Sequence, residues 1–273
     1  MMPNKNLVVS VIVTTYNRPR ALDLVLSSLT NQKNLPFEIL IADDGSSEET
    51  KNVIDLWKKK SNVPILHYWH ADLGFRAAEV RNKAAIQAKG NYLIFLDGDC
   101  LVFHDFIERH LNLAEKNYMV VGSRLLCSEE FTDDIEEKLI APLNWGLSDW
   151  LKARFRKQIN RIYPLFRLGD LGIRKLRPSQ WRGVRTFNLA IWRDDFFAVN
   201  GFDERFQGWG HEDADLAIRL INNNVRRKDG QFSIPVLHLW HKDNDRTFLD
   251  KNINLLNESL DKKIFAKNGI IKQ

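Results

Sequence analysis

The chain has 273 residues, 44% of them hydrophobic and 27% charged, with a formal net charge of +5. This length suits one large domain, or a domain with a small appendage. No run approaches the roughly 18 consecutive apolar residues of a membrane-spanning helix. Cys100 and Cys127 are too few for a disulfide framework and lack the spacing of a metal pair. Residues 1–6, MMPNKN, enter a strand-like run without an apolar leader, so a reducing cytoplasm is the expected compartment.

Residues 7–14 (LVVSVIVT) form a β-branched run that predicts a buried first strand. It ends in the polar loop Thr14 to Pro19, and the proline is well placed to open a helix over residues 20–30. Residues 37–42 predict a second strand, ending at Asp43-Asp44-Gly45. A helix over 48–59, a strand over 65–69 and a helix over 74–89 follow, with Gly90 as a stop. Residues 92–96 then run into Asp97-Gly98-Asp99. Two carboxylates at the end of a buried strand need a partner, because unpaired buried charge is costly. A divalent cation with a diphosphate would provide one; a polar turn is the alternative. Strands and helices in this alternation imply an α/β fold with a mostly parallel, doubly wound sheet. Its ligand would lie beyond the C-terminal strand ends, where all three polar tips fall.

Further on, helices are expected over 106–114 and 129–140, and a strand over 119–122. From Lys152 to Arg185 the chain carries eleven Lys and Arg against one acid, Asp170, among scattered aromatics. Such a block reads as a solvated helical excursion, a lid, or a surface for an anionic partner such as a membrane. Residues 187–192 are strand-like, and 194–199 predict a short helical turn. In Gly208-Trp209-Gly210 the glycines let the backbone approach a ligand while the indole offers a flat face. Glu212, Asp213 and Asp215 fall in the first turn of a helix. There they either complement the helix dipole or aim a general base into a cleft. A last strand over 236–240 carries His238, with His241 just beyond; the pair is either a metal site or two surface or core residues. An amphipathic tail helix over 252–271, interrupted at Gly269, closes the chain.

In this order and spacing, VSVIVTTYNRP, IADDGS, GFRAAEVRNKAAIQAKGNYLIFLDGDC, GWGHEDADL and HLWH resemble a family 2-type glycosyltransferase of GT-A (Rossmann-like) fold. The likeness is to bacterial chondroitin-polymerase-like enzymes and to the β-1,4-galactosyltransferases, over residues 7–124 and 185–246. The resemblance implies that Thr14, Tyr16 and Asp44 hold uracil and ribose, that Arg81 lies against the nucleotide, and that Asp97 and Asp99 meet ribose, metal and diphosphate. Asn188 joins the expected nucleotide-sugar contacts. Asp213 would be the base, Trp209 and Glu212 would hold the acceptor sugar, and His241 or His238 would complete the shell of a Mn²⁺ or Mg²⁺ ion with Asp99. The implied organisation is a nucleotide-sugar half (1–124), a basic and aromatic insert or lid (125–184), an acceptor and catalytic half (185–246) and a helical tail (247–273). Ala214 interrupts the acidic run of the galactosyltransferases, and residues 124–183 carry no recognised pattern.

The expected activity is inverting, metal-dependent transfer of a hexose or N-acetylhexosamine from a UDP-sugar to a glycan or lipid-linked acceptor in bacterial surface polysaccharide synthesis. The basic block suggests peripheral contact with an anionic membrane at the inner face of the cell; no nucleic-acid module surrounds it. A catalytically inactive nucleotide-sugar-binding scaffold is the alternative. A sugar nucleotidyltransferase is disfavoured, because TTYNRPRA is not a glycine-rich phosphate loop.

Overall fold

A computed structural model describes residues 7–242 and 245–272. The expectation for residues 1–6 lies outside that range. Short apolar runs become strands because β-branched and aromatic side chains suit a pleated, buried surface. These strands are β1 (Val9–Thr15), β2 (Glu38–Asp43), β3 (Ile65–Trp69) and β4 (Tyr92–Asp97), joined by helices α1 (Pro19–Thr30), α2 (Glu48–Lys60) and α3 (Ala77–Gln87). Alternate residues face opposite ways along a strand. Val11, Val13, Ile39, Ile41, Ile94 and Leu96 accordingly enter one core cluster, while Ile12, Leu40, Leu93 and Phe95 enter the other.

The chain continues through β5 (Cys100–Val102), α4 (Phe106–Leu113), β6 (Tyr118–Val121), β7 (Ser123–Leu126), α5 (Glu129–Glu136) and α6 (Leu147–Phe155). It ends with β8 (Asn188–Trp192), α7 (Arg193–Ala198), α8 (Glu212–Asn222), β9 (Arg226–Asp229), β10 (Pro235–His238) and α9 (Leu249–Leu260). The main sheet has the order β3-β2-β1-β4-β8-β6-β9, and within it only β8 runs antiparallel to its neighbours. The chain lays β2 and β3 on one side of β1 and then places β4 on the other. The strand order therefore reverses between β1 and β4, the position at which such sheets open a ligand crevice. A smaller sheet, β5-β10-β7, stands beside it.

Three strands carried no readable signal. β5 and β7 are short, and β9 is entirely polar in sequence (RRKD) yet pairs in parallel with β6. The buried Lys228 of β9 is neutralised by Glu115 at 3.1 Å and Asp170 at 2.7 Å. The tail helix is shorter than its pattern predicts. It ends at Leu260, and the chain beyond it docks irregularly on one corner, where Ala266 N donates to Val199 O and Ile270 N to Asn200 O. Among the described residues no helix is long and apolar enough to cross a membrane.

Candidate active site

The C-terminal ends of β1, β2 and β4 form the floor of a cavity of about 900 Å³. Thr14 of β1 pairs in register with Asp97 of β4, and Gly98 N donates to Thr14 O at 2.7 Å. A Cβ at Gly98 would stand 2.8 Å from that carbonyl, so only glycine lets the turn close this tightly. Arg81, buried on α3, reaches across the floor. Its Nε donates to Thr14 Oγ1 at 2.8 Å, Nη2 to Asp97 Oδ1 at 3.2 Å and Nη1 to Glu212 Oε1 at 3.0 Å. One guanidinium thus joins β1, β4 and α8 through its fixed fork of donors. The Asp97 carboxyl is pushed up to about 6 by its enclosure, with Arg81 opposing and Asp99 and Glu212 adding to the rise.

Asp44 follows β2 on the same rim. His70 Nε2 lies 2.6 Å from its Oδ1, and Arg76 N donates to its Oδ2 at 2.9 Å. Burial raises the Asp44 carboxyl above its ordinary range, against these two contacts. Tyr16 is exposed at the mouth, and its hydroxyl donates to Asp72 Oδ2 at 2.8 Å.

Asp99 sits where the two sheets meet. β10 pairs antiparallel with β5, which sets His238 opposite Cys100, and Leu239 N donates to Asp99 O at 2.9 Å. His238 Nε2 then lies 3.7 Å from Asp99 Oδ1, and His241 Nε2 lies 3.6 Å from Asp99 Oδ2. Both separations are too long for hydrogen bonds. They suit ligand atoms arranged about one cation, with bonds of roughly 2.0–2.2 Å to each. His241 Nδ1 is 2.8 Å from Lys242 O and carries the hydrogen there, which leaves Nε2 to face Asp99. Burial lowers the His238 pKa and keeps that ring neutral, as a ligand must be. Cys100 Sγ is 3.6 Å from Asp99 Oδ1, but burial and the two aspartates raise its pKa well above the ordinary thiol value. A sulfur donor is soft and suits Zn²⁺ or Cu⁺, whereas carboxylate oxygen suits Mn²⁺ or Mg²⁺, so the donors that fit Mn²⁺ or Mg²⁺ are Asp99 with His238 and His241.

At the far side the loop before α8 turns sharply, with Gly208, Gly210 and His211 all at positive φ. A Cβ on Gly208 would stand 2.6 Å from the Phe248 ring. This turn presents Trp209 at the cavity wall, with the Arg246 guanidinium 5.3 Å from its ring, and aims the first turn of α8 inward. Asp213 is buried, and its carboxyl accepts from Ala214 N at 2.7 Å and has Arg185 Nη1 at 3.6 Å. Burial and the neighbouring Glu212 push it up to about 7, with Arg185 and Arg81 opposing. Behind it, Asp215 pairs with Arg219 at 2.7 Å, both fully buried, and Ser259 of α9 donates to Asp215. The two aspartates of the sequence pattern therefore differ in place: Asp213 faces the cavity, and Asp215 anchors the helix.

Thr14, Tyr16, Asp44, Arg81, Asp97, Asp99, Trp209, Glu212, Asp213, His238 and His241 all line this one cavity. Asn188 does not. It is fully buried at the start of β8, where its side chain meets His110 Nε2 at 3.0 Å and donates to Ile234 O at 2.9 Å. The structure does not bring it to the cavity where a nucleotide sugar was expected: Asn188 ties β8 to α4 and to the segment entering β10. Sequence reasoning missed Arg18, whose Nη1 is 3.5 Å from Asp99 Oδ2 and whose Nη2 donates to Glu136 Oε1 at 2.7 Å. Its place in the same polar loop as Tyr16 was the available signal. Arg124 and Arg185, also in the wall, had no such signal.

Residues 10–170 match glycosyl transferase family 2, and residues 173–241 match the N-terminal domain of galactosyltransferase. The first match takes in much of residues 124–183, where the sequence alone offered no recognised pattern. Chondroitin synthase of Pasteurella multocida (strain Pm70) is 30% identical over 239 residues, 80% of this chain and 23% of that protein. Validoxylamine A glucosyltransferase of Streptomyces hygroscopicus subsp. limoneus is 29% identical over 234 residues, 79% of this chain and 48% of that protein. The chain therefore spans less than half the length of these relatives. The mannosyltransferase PcManGT from Pyrobaculum calidifontis, solved in complex with GDP-Man and Mn²⁺, aligns with a TM-score of 0.60 at 16% identity, over 88% of this chain and 59% of that one. S. aureus TarS 1-349 in complex with UDP aligns with a TM-score of 0.57 at 16% identity, over 92% and 65%. These structural likenesses establish the GT-A fold. With a match spanning more than half of its length, the chain belongs to glycosyl transferase family 2.

Proposed function

We propose that the chain transfers a hexose or N-acetylhexosamine from a UDP-sugar to an acceptor hydroxyl, with inversion, in bacterial surface polysaccharide synthesis. The observation that carries this reading is Asp213, a buried carboxyl held near 7 in the same cavity as Asp99 and its two histidines. A base works best when its pKa lies near the working pH. Asp213 takes the proton of the acceptor hydroxyl as that oxygen bonds the anomeric carbon. The bond to the diphosphate breaks on the opposite face, and UDP leaves with the electron pair.

Thr14, Tyr16 and Asp44 hold the nucleoside on the rim, and Arg81 fixes the floor against which it rests. Trp209 offers its face to the acceptor ring, and Glu212, already held by Arg81, accepts an acceptor hydroxyl. A Mn²⁺ or Mg²⁺ ion at Asp99, His238 and His241 would neutralise charge on the departing diphosphate. Arg18, beside Asp99, adds a second positive charge there. The neighbours solved with UDP, and with GDP-Man and Mn²⁺, support a nucleotide-sugar donor and a divalent ion. The acceptor is a glycan or lipid-linked oligosaccharide, met at the cytoplasmic face of the plasma membrane in peripheral contact with anionic lipid.

The test is nucleotide release from a panel of UDP- and GDP-sugars with Mn²⁺ and oligosaccharide acceptors. Turnover of a UDP-sugar that is lost in Asp213→Asn while UDP still binds supports the reading. Turnover confined to GDP-sugars overturns the donor, and a fully active Asp213→Asn overturns the base.

A further inference from the structure

The basic block divides in two. In its second half Arg174 is buried and donates to backbone carbonyls, including Asp229 O at 2.8 Å and Gln231 O at 2.7 Å. Lys175 is neutralised by Glu115 at 2.6 Å, and Arg167 lies 3.7 Å from Asp105. These cations hold the fold together. The first half does not: among the described residues Arg154, Arg156 and Lys157 are exposed and carry no ion pair, and Lys152 has only Asp149 at 3.8 Å.

Two of those cations, Lys152 and Arg154, lie in α6, and Arg156 and Lys157 follow it directly. The helix packs inward through the buried Trp150 and Ala153, with Trp150 5.3 Å from the Trp145 ring. Leu147, Leu151 and Phe155, spaced i, i+4, i+8, form one stripe on its outer side, 62%, 53% and 89% exposed. A helix with an outward apolar stripe between basic side chains has the composition of an element that lies in a lipid interface. Water is a poor solvent for the stripe, and a neutral apolar partner would leave the flanking cations without counter-charge. An anionic lipid surface satisfies both at once.

We infer that α6 is the membrane-docking element of this chain, seating Leu147, Leu151 and Phe155 among the acyl chains of an anionic leaflet, with the flanking cations on its headgroups. This assignment rests on the peripheral contact proposed above. The helix is also joined directly to the reaction cavity. Just past α6, Ser128 N donates to Gln158 O at 2.9 Å, Leu126 N donates to Asn160 Oδ1 at 2.9 Å, and Ile159 bridges to Cys127. Leu126 and Cys127 line the cavity. Docking through α6 would therefore hold that wall close to a bilayer that carries the acceptor.

The experiment is co-sedimentation of the full chain with phosphatidylcholine vesicles, with and without phosphatidylglycerol, at low and high salt. It needs neither donor nor acceptor, so its failure leaves the transfer reaction standing. The wild type should bind the anionic vesicles and release them as salt rises. Leu147→Ser/Leu151→Ser/Phe155→Ser should bind on the order of a hundredfold more weakly, because the stripe supplies the inserted area. Lys152→Gln/Arg154→Gln/Arg156→Gln/Lys157→Gln should lose the preference for anionic lipid. Both variants should keep the wild-type melting temperature and turnover on a soluble acceptor. Equal binding of wild type and both variants overturns the assignment. So does a wild type that ignores vesicles at low salt, or a serine variant whose one change is a shift from dimer to monomer.

Discussion

Arg81 donates to Glu212 at 3.0 Å across 131 residues of sequence, while its other terminal nitrogen holds Asp97 at 3.2 Å. The guanidinium is buried between two carboxylates, one from each half of the cavity. Removing it would leave both acids close together without the charge that pairs them.

Arg81→Ala should therefore destabilise the protein by about 3–5 kcal/mol, the usual cost of breaking a buried ion pair from one side. Arg81→Lys should lose less stability but also weaken UDP binding, because an ammonium cannot reproduce the three-way fork. Thermal unfolding with UDP calorimetry on both variants is the check. A lysine variant with wild-type affinity would show that the fork is dispensable.

Asp213 carries the pH dependence. Its folded pKa of about 7 lies above the ordinary 3.8, so between those values the folded state holds a proton that the unfolded chain has lost. Stability should fall as pH rises through that window, and Asp97, pushed up to about 6, acts in the same direction. Turnover should do the opposite, rising through about pH 7 as Asp213, the proposed base, becomes deprotonated. Asp213→Asn should lower turnover by about 10²–10⁴-fold and flatten the stability profile. Unfolding curves from pH 4 to 8 that superimpose for the two proteins would count against a buried, raised Asp213.

The metal corner is testable without catalysis. Mn²⁺ should raise the melting temperature of the wild type. Asp99→Ala and His241→Ala should each weaken that effect by on the order of a hundredfold in Mn²⁺ affinity, since even outer partners of metal ligands are worth about 10–100-fold. Cys100→Ser should keep it. Loss in the serine variant alone would move the site onto the thiol.

Asn188 separates structure from binding. Its side chain serves His110 and two backbone carbonyls in the interior. Asn188→Ala should cost about 1–3 kcal/mol of stability through the groups left unpaired while leaving the UDP dissociation constant unchanged. A weakened UDP affinity without loss of stability would restore it to the nucleotide site.

The first half of the fold was legible because its signals are local. Apolar runs such as ILIA and YLIFL mark strands buried on both faces, and the helices between them force parallel order. The tail was less legible. An amphipathic pattern continues past Leu260, but the hydrogen bonds that Asn200 and Val199 offer residues 266–271 replace the helix there. β9 had no apolar signal at all, because edge pairing with β6 and the ion pairs of Lys228 stand in for one.

The sequence by itself determined that Thr14, Asp44 and Asp97 share one rim, since the C-terminal ends of parallel strands point the same way. It also marked Asp213 and the histidines as candidates by residue type. The tertiary structure alone decided who meets whom. His238 reaches Asp99 because β10 pairs with the three-residue β5, and Arg81 reaches Glu212 because α8 comes to rest against α3's end of the floor. Asn188 turns inward because strand phase alternates faces, and a one-residue slip would reverse it. Pairing and phase are set by contacts far apart in the chain, which no local pattern records.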